Sequence, residues 1–370
     1  MRIGIDASAL YGRYGGVEYA LWNLLVALHA EDARNEYVLY IPRDGPPPAR
    51  LQNFNARWKW KRLPFFGAQK LRRIFWQQTI LPAQLLRDNG DILHAPTYIA
   101  PWSTPIPTVL TVYDVIALSH PEFATVPNRL HYGALLPRSI QNAARVIAPT
   151  RAVAKEIETR FPAAKVSVVP LGLEPIFFAP PSTPDLKRTR VRYNLPEKYV
   201  LFVGNFEPKK NLHALLAALE LLPDAPPLVI AGGNRAWRGH EAGRTQPGST
   251  PNVKTIGYVS RADLPALYSG SAAFVFPSLA EGFGLPVLEA LACGAPVVTS
   301  SCVPLPNLKN VALICNPNNT AEIAASLKRI LENDAEAARL KSAGKEYAQT
   351  FTWRRAARET LAIYQDLEIA

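Results

Sequence analysis

The sequence is short of several things that would fix its class at once. Its three cysteines, Cys293, Cys302 and Cys315, are odd in number and form no C-x-x-C pair. With no disulfide framework the chain reads as cytosolic, its thiols as small core residues. No run of about 18 uncharged apolar residues is present, so no segment reads as crossing a membrane. Residues 1 to 30 begin directly as a strand, without a secretory signal pattern. No G-x-G-x-x-G spacing occurs, and there is neither an internal repeat nor a low-complexity tract.

One absence is local. Between Gly45 and Arg87 there is no acid, while nine basic residues fall there: Arg50, Arg57, Lys59, Lys61, Arg62, Lys70, Arg72, Arg73 and Arg87. That window accounts for most of the formal charge of +11, so the chain carries a basic patch and is not uniformly basic. Within it Trp58 and Trp60 alternate with cations as in a strand. Leu71, Ile74, Phe75 and Gln78 then follow helical spacing. Cations interleaved with aromatics suit an anionic membrane surface through Arg57 to Arg73, or a pyrophosphate-bearing lipid. A solvated charged face over ordinary core aromatics is the alternative. No nucleic-acid recognition motif accompanies the charge, so no nucleic acid is expected as a partner.

At 370 residues and 48% apolar composition the chain is long enough for about two globular domains. The stretch that organises it is Pro277 to Val298, P-S-L-A-E-G-F-G-L-P-V-L-E-A-L-A-C-G-A-P-V-V. A buried parallel strand at 272–276 feeds a loop in which Gly282 and Gly284 allow close backbone approach. Pro286 then opens a helix, which Gly294 and Pro296 stop. Strand, glycine loop and helix N-terminus favour phosphate. Glu281 in the loop and Glu289 in the helix frame that place, and carboxylates accept paired hydroxyl bonds, so a sugar and a ribose are their natural partners. A lone pair of this kind is more often solvated; the surrounding pattern is what carries the hypothesis.

Elsewhere strands and helices alternate. Arg2 to Asp6 is a strand, Gly15-Gly16 closes a loop, and a helix with Val17, Leu21, Leu24, Leu25 and Leu28 on one face follows. A strand at 91–94 ends in His94, and one at 108–112 delivers Tyr113 and Asp114. Ligands in open α/β sheets lie beyond strand carboxyl ends, so these three are site candidates, although such residues are commonly packed and satisfied. Leu171 to Pro196 is rich in proline and reads as a linker. The second half restarts with Tyr199 to Val203, then Gly204-Asn205-Phe206-Glu207-Pro208-Lys209-Lys210-Asn211 and a helix from Leu212 to Leu222. Two lysines at a helix start oppose the dipole unless an anion is present, which points to phosphate. Asn234 to Pro251 reads as a polar surface loop.

Together these stretches resemble the retaining glycosyltransferases of family 4. Glu281 to Glu289 matches the family's E-x7-E motif, V-G-N-F-E-P-K-K-N its pyrophosphate loop, G-I-D-A…G-G-V-E its N-terminal glycine loop and V-V-P-L-G-L its hinge-side strand. The E-P-K-K-N form is most similar to bacterial mannosyl- and glucosyltransferases. The resemblance implies an α/β chain of GT-B architecture: two facing Rossmann-like domains with parallel sheets and an interdomain cleft. An acceptor domain would occupy 1–174, a linker 175–196 and a nucleotide-sugar donor domain 197–353, with a helix at 354–370 packing back on the first. It also implies the roles. Lys210, helped by Lys209 in the loop with Gly204 and Asn205, holds the donor diphosphate. Glu281 holds donor sugar hydroxyls beside the amides at Gly282, Phe283, Gly284 and Leu285. Glu289 takes the ribose, and Tyr258 and Val259 flank the base. Gly16, next to Gly15, approaches the phosphate; His94 counts as substrate-binding, and Tyr113 and Asp114 as catalytic alongside Glu281 and Lys210. The chain departs from the pattern at Tyr113, where His is frequent, at Asn205, where Arg is frequent, and at Pro306 to Asn310, where an acid-bearing stretch is usual.

The reaction so implied moves a mannose- or glucose-type sugar from a GDP- or UDP-linked donor to a hydroxyl of a glycan or lipid-linked acceptor, with retention, in surface polysaccharide or glycolipid assembly. No D-x-D occurs, so no metal and no cofactor is expected, and the diphosphate charge falls to the lysines and helix N-termini. The location expected is cytoplasmic, with peripheral attachment at the inner membrane face. Alternatives are a sugar-nucleotide epimerase or phosphorylase on the same fold, or a non-catalytic nucleotide-sugar-binding protein.

Overall fold

The structure, a computed structural model, describes residues 1–12, 15–46, 53–233 and 252–369. The polar insertion at 234–251 and Arg50 lie outside the described residues. The chain divides into two compact units, Met1–Gly172 with Thr352–Ala370, and Leu173–Phe351.

The first unit is built on seven parallel strands, β1 (Arg2–Asp6), β2 (Glu36–Ile41), β3 (Trp58–Arg62), β4 (Ile92–Ala95), β5 (Thr108–Thr111), β6 (Arg145–Ala148) and β7 (Val166–Val168), in the order β3-β2-β1-β4-β5-β6-β7. The central strands β4 and β5 are buried at every residue, as a parallel sheet covered on both faces requires, which is why they read as continuous apolar runs. The helix Gly16–Glu31 buries Ala20, Leu21, Leu24, Leu25 and Leu28, a stripe at three- and four-residue spacing. Against it lies the final helix, Trp353–Ile369, whose Ala356, Ala357 and Tyr364 share one core cluster with Leu21 and Leu28. Arg354 and Arg358 close the contact on Glu31 at 2.8 and 2.7 Å. Gly172 admits this helix: a Cβ there would stand 2.1 Å from the Trp353 backbone nitrogen.

The second unit carries six parallel strands, β8 (Val200–Val203), β9 (Leu228–Ala231), β10 (Val253–Gly257), β11 (Ala273–Phe276), β12 (Val297–Ser300) and β13 (Leu313–Cys315), in the order β10-β9-β8-β11-β12-β13. In both sheets the first strand of the unit has the second on one side and the fourth on the other. Chain direction away from the middle therefore reverses between β1 and β4, and between β8 and β11. Those are the switch points at which open α/β sheets bind ligands.

Two expectations need correction. The stretch at 175–196, read as a linker from its prolines, carries a turn at Pro175–Phe177 and a helix at Thr183–Arg192 and belongs to the second unit. Its prolines sit in first turns, where the missing N–H costs nothing, and Ser182 with Asp185 forms a capping box. The basic window is also less uniform than its composition suggests. Trp58 is buried and stacks on Tyr37 with ring centroids 3.9 Å apart, and Lys61 pairs with Asp88. By contrast Leu71 and Phe75, on the helix Lys70–Phe75, are 82% and 62% exposed. A π-helical turn, Trp76–Ile80, follows before the helix Leu81–Arg87. All three cysteines are free; Cys293 and Cys315 are buried, and Cys302 only partly so.

Candidate functional site

In the second unit the loops after β8 and β11 are sewn together. The Leu279 amide donates to the Lys209 carbonyl at 2.7 Å, and Ser278 Oγ stands 2.8 Å from the same oxygen. Asn211, buried and left-handed with φ 57°, donates its side-chain amide to the Pro277 and Pro317 carbonyls at 3.1 and 2.7 Å. Asparagine is among the few residues that tolerate that backbone region. This fixes the turn Pro208–Lys210 beside the glycine loop.

The result is a short ion pair at the switch point. Lys210 Nζ lies 2.6 Å from Glu281 Oε1, with side chains only 14% and 9% exposed. Ser278 Oγ is 2.7 Å from the same carboxylate oxygen, and the ammonium sits 4.9 Å from the Phe276 ring centroid. The lysines that oppose the helix dipole thus have an acid in reach within the protein. Lys209 is nearer Glu207, at 3.7 Å. Gly204, at the end of β8, donates its amide to Ala231 at 2.9 Å, and Asn205 accepts from the Glu207 amide at 2.9 Å.

Gly284 caps the helix Leu285–Ala292 with φ 100°, and a Cβ there would stand 2.6 Å from Val303 Cγ1. Glycine is therefore required by backbone and space together. Gly282 is buried, Phe283 packs its edge on Phe351 at 5.9 Å, and Leu285 is half-buried. Glu289, on the same helix, is not beside Lys210. Its carboxylate is buried and accepts from Arg261 Nη1 at 2.7 Å and Tyr268 Oη at 2.9 Å. Burial pushes its pKa upward, against the pull of Arg261. Arg261 also binds Glu174 and lies 4.7 Å from the Phe177 ring centroid. Each carboxylate oxygen keeps a further lone pair, so Glu289 can still accept a hydroxyl. Tyr258, just past β10, is 70% exposed, and Val259 is buried.

The first unit treats its candidates differently. Gly15 and Gly16 open the helix Gly16–Glu31, and a Cβ at either would meet nothing within 4 Å; packing inside the unit requires neither glycine. His94 is a correction. It was expected to bind substrate, but it is 1% exposed, with Nδ1 2.6 Å from Tyr364 Oη and Nε2 2.9 Å from Thr111 Oγ1. Both ring nitrogens are used, and burial pushes its pKa down to about 3. It is a satisfied core histidine. Tyr113 is buried with its ring edge on Tyr98, 5.6 Å between centroids, and burial raises its phenol. Asp114 accepts from Tyr98 Oη at 2.8 Å and from the Ile116 amide at 3.0 Å, so it orients a tyrosine and closes the turn that leads into a short helix.

Sequence reasoning missed Arg261, Tyr268, Ser278 and Asn211. Of these only Asn211 had a signal, as an asparagine between a charged turn and a helix. Arg261 and Tyr268 meet Glu289 from separate elements, which no local spacing encodes.

The comparisons with known proteins bear on the whole chain. Residues 185–347 match the family described as Glycosyl transferases group 1, and residues 14–177 match Glycosyltransferase Family 4. O-antigen chain mannosyltransferase B of Escherichia coli is 30% identical over 294 residues, 76% of this chain and 76% of that one. Sucrose-phosphate synthase from Thermosynechococcus elongatus superposes with a TM-score of 0.77 at 21% identity, over 100% of this chain and 99% of the other. HepE of Anabaena, solved in complex with UDP-glucose, gives 0.73 at 20% identity over 99% of each. The fold is the expected α/β GT-B class, two Rossmann-like domains with parallel sheets. With a curated relative matched over three quarters of both lengths, this chain belongs to the family 4 glycosyltransferases.

Proposed function

We propose that the chain transfers a mannose- or glucose-type sugar from a nucleotide-sugar to an acceptor hydroxyl with retained anomeric configuration, in polysaccharide or glycolipid assembly. The observation that carries this reading is the Lys210–Glu281 pair at the second switch point. Mannosyltransferase relatives and a structural neighbour in complex with UDP-glucose support the donor class. In this mechanism Lys210 exchanges the Glu281 carboxylate for the donor diphosphate, freeing Glu281 to accept sugar hydroxyls. The bond from C1 to the phosphate oxygen then breaks while the acceptor oxygen bonds C1 on the same face. The acceptor proton passes to the leaving phosphate, so no protein nucleophile is needed. Charge growing on the diphosphate is met by Lys210, Lys209 and the N–H groups after Gly284, which need no reorganisation at that moment. Glu289, held by Arg261 and Tyr268, offers its remaining lone pairs to ribose, and Tyr258 and Val259 lie alongside the base. Gly204 and Asn205 lie in the loop that carries the lysines, and no metal takes part.

The test is calorimetric titration with GDP, UDP, ADP and dTDP and their sugar conjugates, without added metal, on the native chain, Lys210→Ala and Glu289→Ala. One nucleotide preferred, and weakened in both variants, supports the reading; no binding by any nucleotide overturns it. The anomeric configuration of the product, read by NMR, tests retention.

Peripheral membrane attachment is part of the same proposal. Exposed Leu71 and Phe75 beside exposed Arg72 form the apolar and cationic faces it needs. Among the described residues no helix is long and apolar enough to cross a membrane. Leu71→Ser with Phe75→Ser should abolish flotation with anionic liposomes; unchanged flotation removes this part.

A further inference from the structure

The switch point of the first sheet opens on a cavity of about 210 Å³. The loop after β1 contributes Tyr11 and Gly15, and the loop after β4 contributes Tyr98. The remaining wall comes from the helices that carry Arg73 and Gln77, and His131 and Tyr132. The volume lies below the about 300 Å³ at which drug-sized ligand pockets begin, so it suits one ring and not a chain of them.

The polar groups around this cavity divide sharply. Its acids have donors of their own. Glu18 accepts the Gly12 amide at 2.8 Å. Buried Asp6 accepts the Gln77 side-chain amide at 2.5 Å and the Ser8 amide at 3.0 Å. Asp114 is taken by Tyr98 and Ile116. Arg73, half-buried in the wall, makes no side-chain hydrogen bond or ion pair among the described residues. Lys70, three residues earlier, reaches Asn128 Oδ1 at 3.2 Å and the Tyr132 ring at 5.9 Å. His131 feels the result: burial first, then the charges of Lys70 and Arg73, pushes its pKa down to about 4. A half-buried guanidinium without a counter-charge costs free energy that a bound oxyanion recovers, because guanidinium and carboxylate or phosphate match as paired donors and acceptors. The aromatic wall supplies the other half of a sugar site. Tyr98 and Tyr132 have ring centroids 5.4 Å apart at 59°, and such rings offer an apolar face with a polar tip to a pyranose.

We infer that this cavity binds a sugar carrying an oxyanion, a phosphoryl or a carboxylate group, with Arg73 on the charge and the tyrosines on the ring. That such a sugar is the acceptor rests on the transferase reading above; that it binds here does not.

The test is calorimetry on the whole protein without any nucleotide, using mannose 6-phosphate, glucuronate, mannose and inorganic phosphate as separate probes. At least one charged sugar is expected to bind ten-fold or more tightly than mannose, and which one does so distinguishes phosphoryl from carboxylate. Arg73→Gln should remove that advantage, Arg73→Lys should keep part of it, and Lys210→Ala should leave it unchanged. Equal affinity for charged and neutral sugars, or an unaltered affinity in Arg73→Gln, overturns the proposal. So does inorganic phosphate binding as tightly as the sugar phosphate, which would reduce the cavity to an anion site. Because Arg73 is partly exposed, its variants should keep the native thermal unfolding, which is checked in parallel. Loss of nucleotide binding in the earlier titration would sink the transferase reading and leave this result standing, and the converse holds too.

Discussion

The two sheets part at the same topological place, and the two places are chemically opposite. At the second switch point the loops after β8 and β11 bring Lys210 against Glu281, charge on charge. At the first, the loops after β1 and β4 border a cavity in which Arg73 makes no ion pair among the described residues. Strand order alone gives both places the same standing. The difference lies in what the loops carry: Pro208–Lys210 is locked to the glycine loop by the Leu279–Lys209 backbone bond and by Ser278, whereas the cation in the first unit arrives on a separate helix. A strand end is therefore only an address. His94 lies in β4 and Glu281 follows β11, each at a switch point, yet the histidine is consumed by two neutral neighbours and the glutamate is paired with Lys210.

Several changes would break or sharpen this contrast. The largest effect is expected for Lys210→Ala, which should lower the transfer rate about 10³-fold, on the order of 4 kcal/mol in the barrier, in steady-state assays with the preferred donor. A loss no greater than that of His94→Gln would mean the second switch point holds no advantage. Next is Arg261→Ala, which leaves buried Glu289 without its cation and should cost about 3 kcal/mol in urea unfolding. Adding Glu289→Gln should return part of that loss, because the unpaired charge is gone.

A smaller effect is tied to pH. His94 ionises near 6.5 in an unfolded chain and near 3 here, so below 6.5 the unfolded state binds the extra proton. Stability is then level above about pH 6.5 and falls as pH drops toward 3, by about 2 kcal/mol at pH 5. Urea unfolding at pH 7.5 and pH 5 should show this decline, and His94→Gln should lack that share of it. Smallest is Ser182→Ala, expected to cost about 1 kcal/mol through the lost cap. No change in the thermal unfolding of the second unit would favour a loose linker at 175–196.

The strands and most helices were legible because buried parallel strands are continuous apolar runs and the helix Gly16–Glu31 shows its stripe. The glycine loop was legible because Gly284 must be left-handed where it is. The partner of Lys210 was not: the sequence points Lys210 and Glu281 each to a ligand and does not say that they meet. Arg261 was invisible for the same reason at greater range: its two carboxylates, Glu174 and Glu289, are distant in the chain in opposite directions. The prolines at 175–196 misled because composition does not distinguish a first helical turn from a linker.

The final helix has a consequence for biosynthesis. The first unit's core needs Ala356, Ala357 and Tyr364, and His94 needs the Tyr364 hydroxyl. A ribosome adds about 5–20 residues per second and domains usually fold in order of emergence. Here the earlier unit must wait, incomplete, while the whole later unit is made and can fold before it. For that interval the apolar groove along Gly16–Glu31 is uncovered, so nascent chains stalled before Thr352 should be the ones that recruit chaperones.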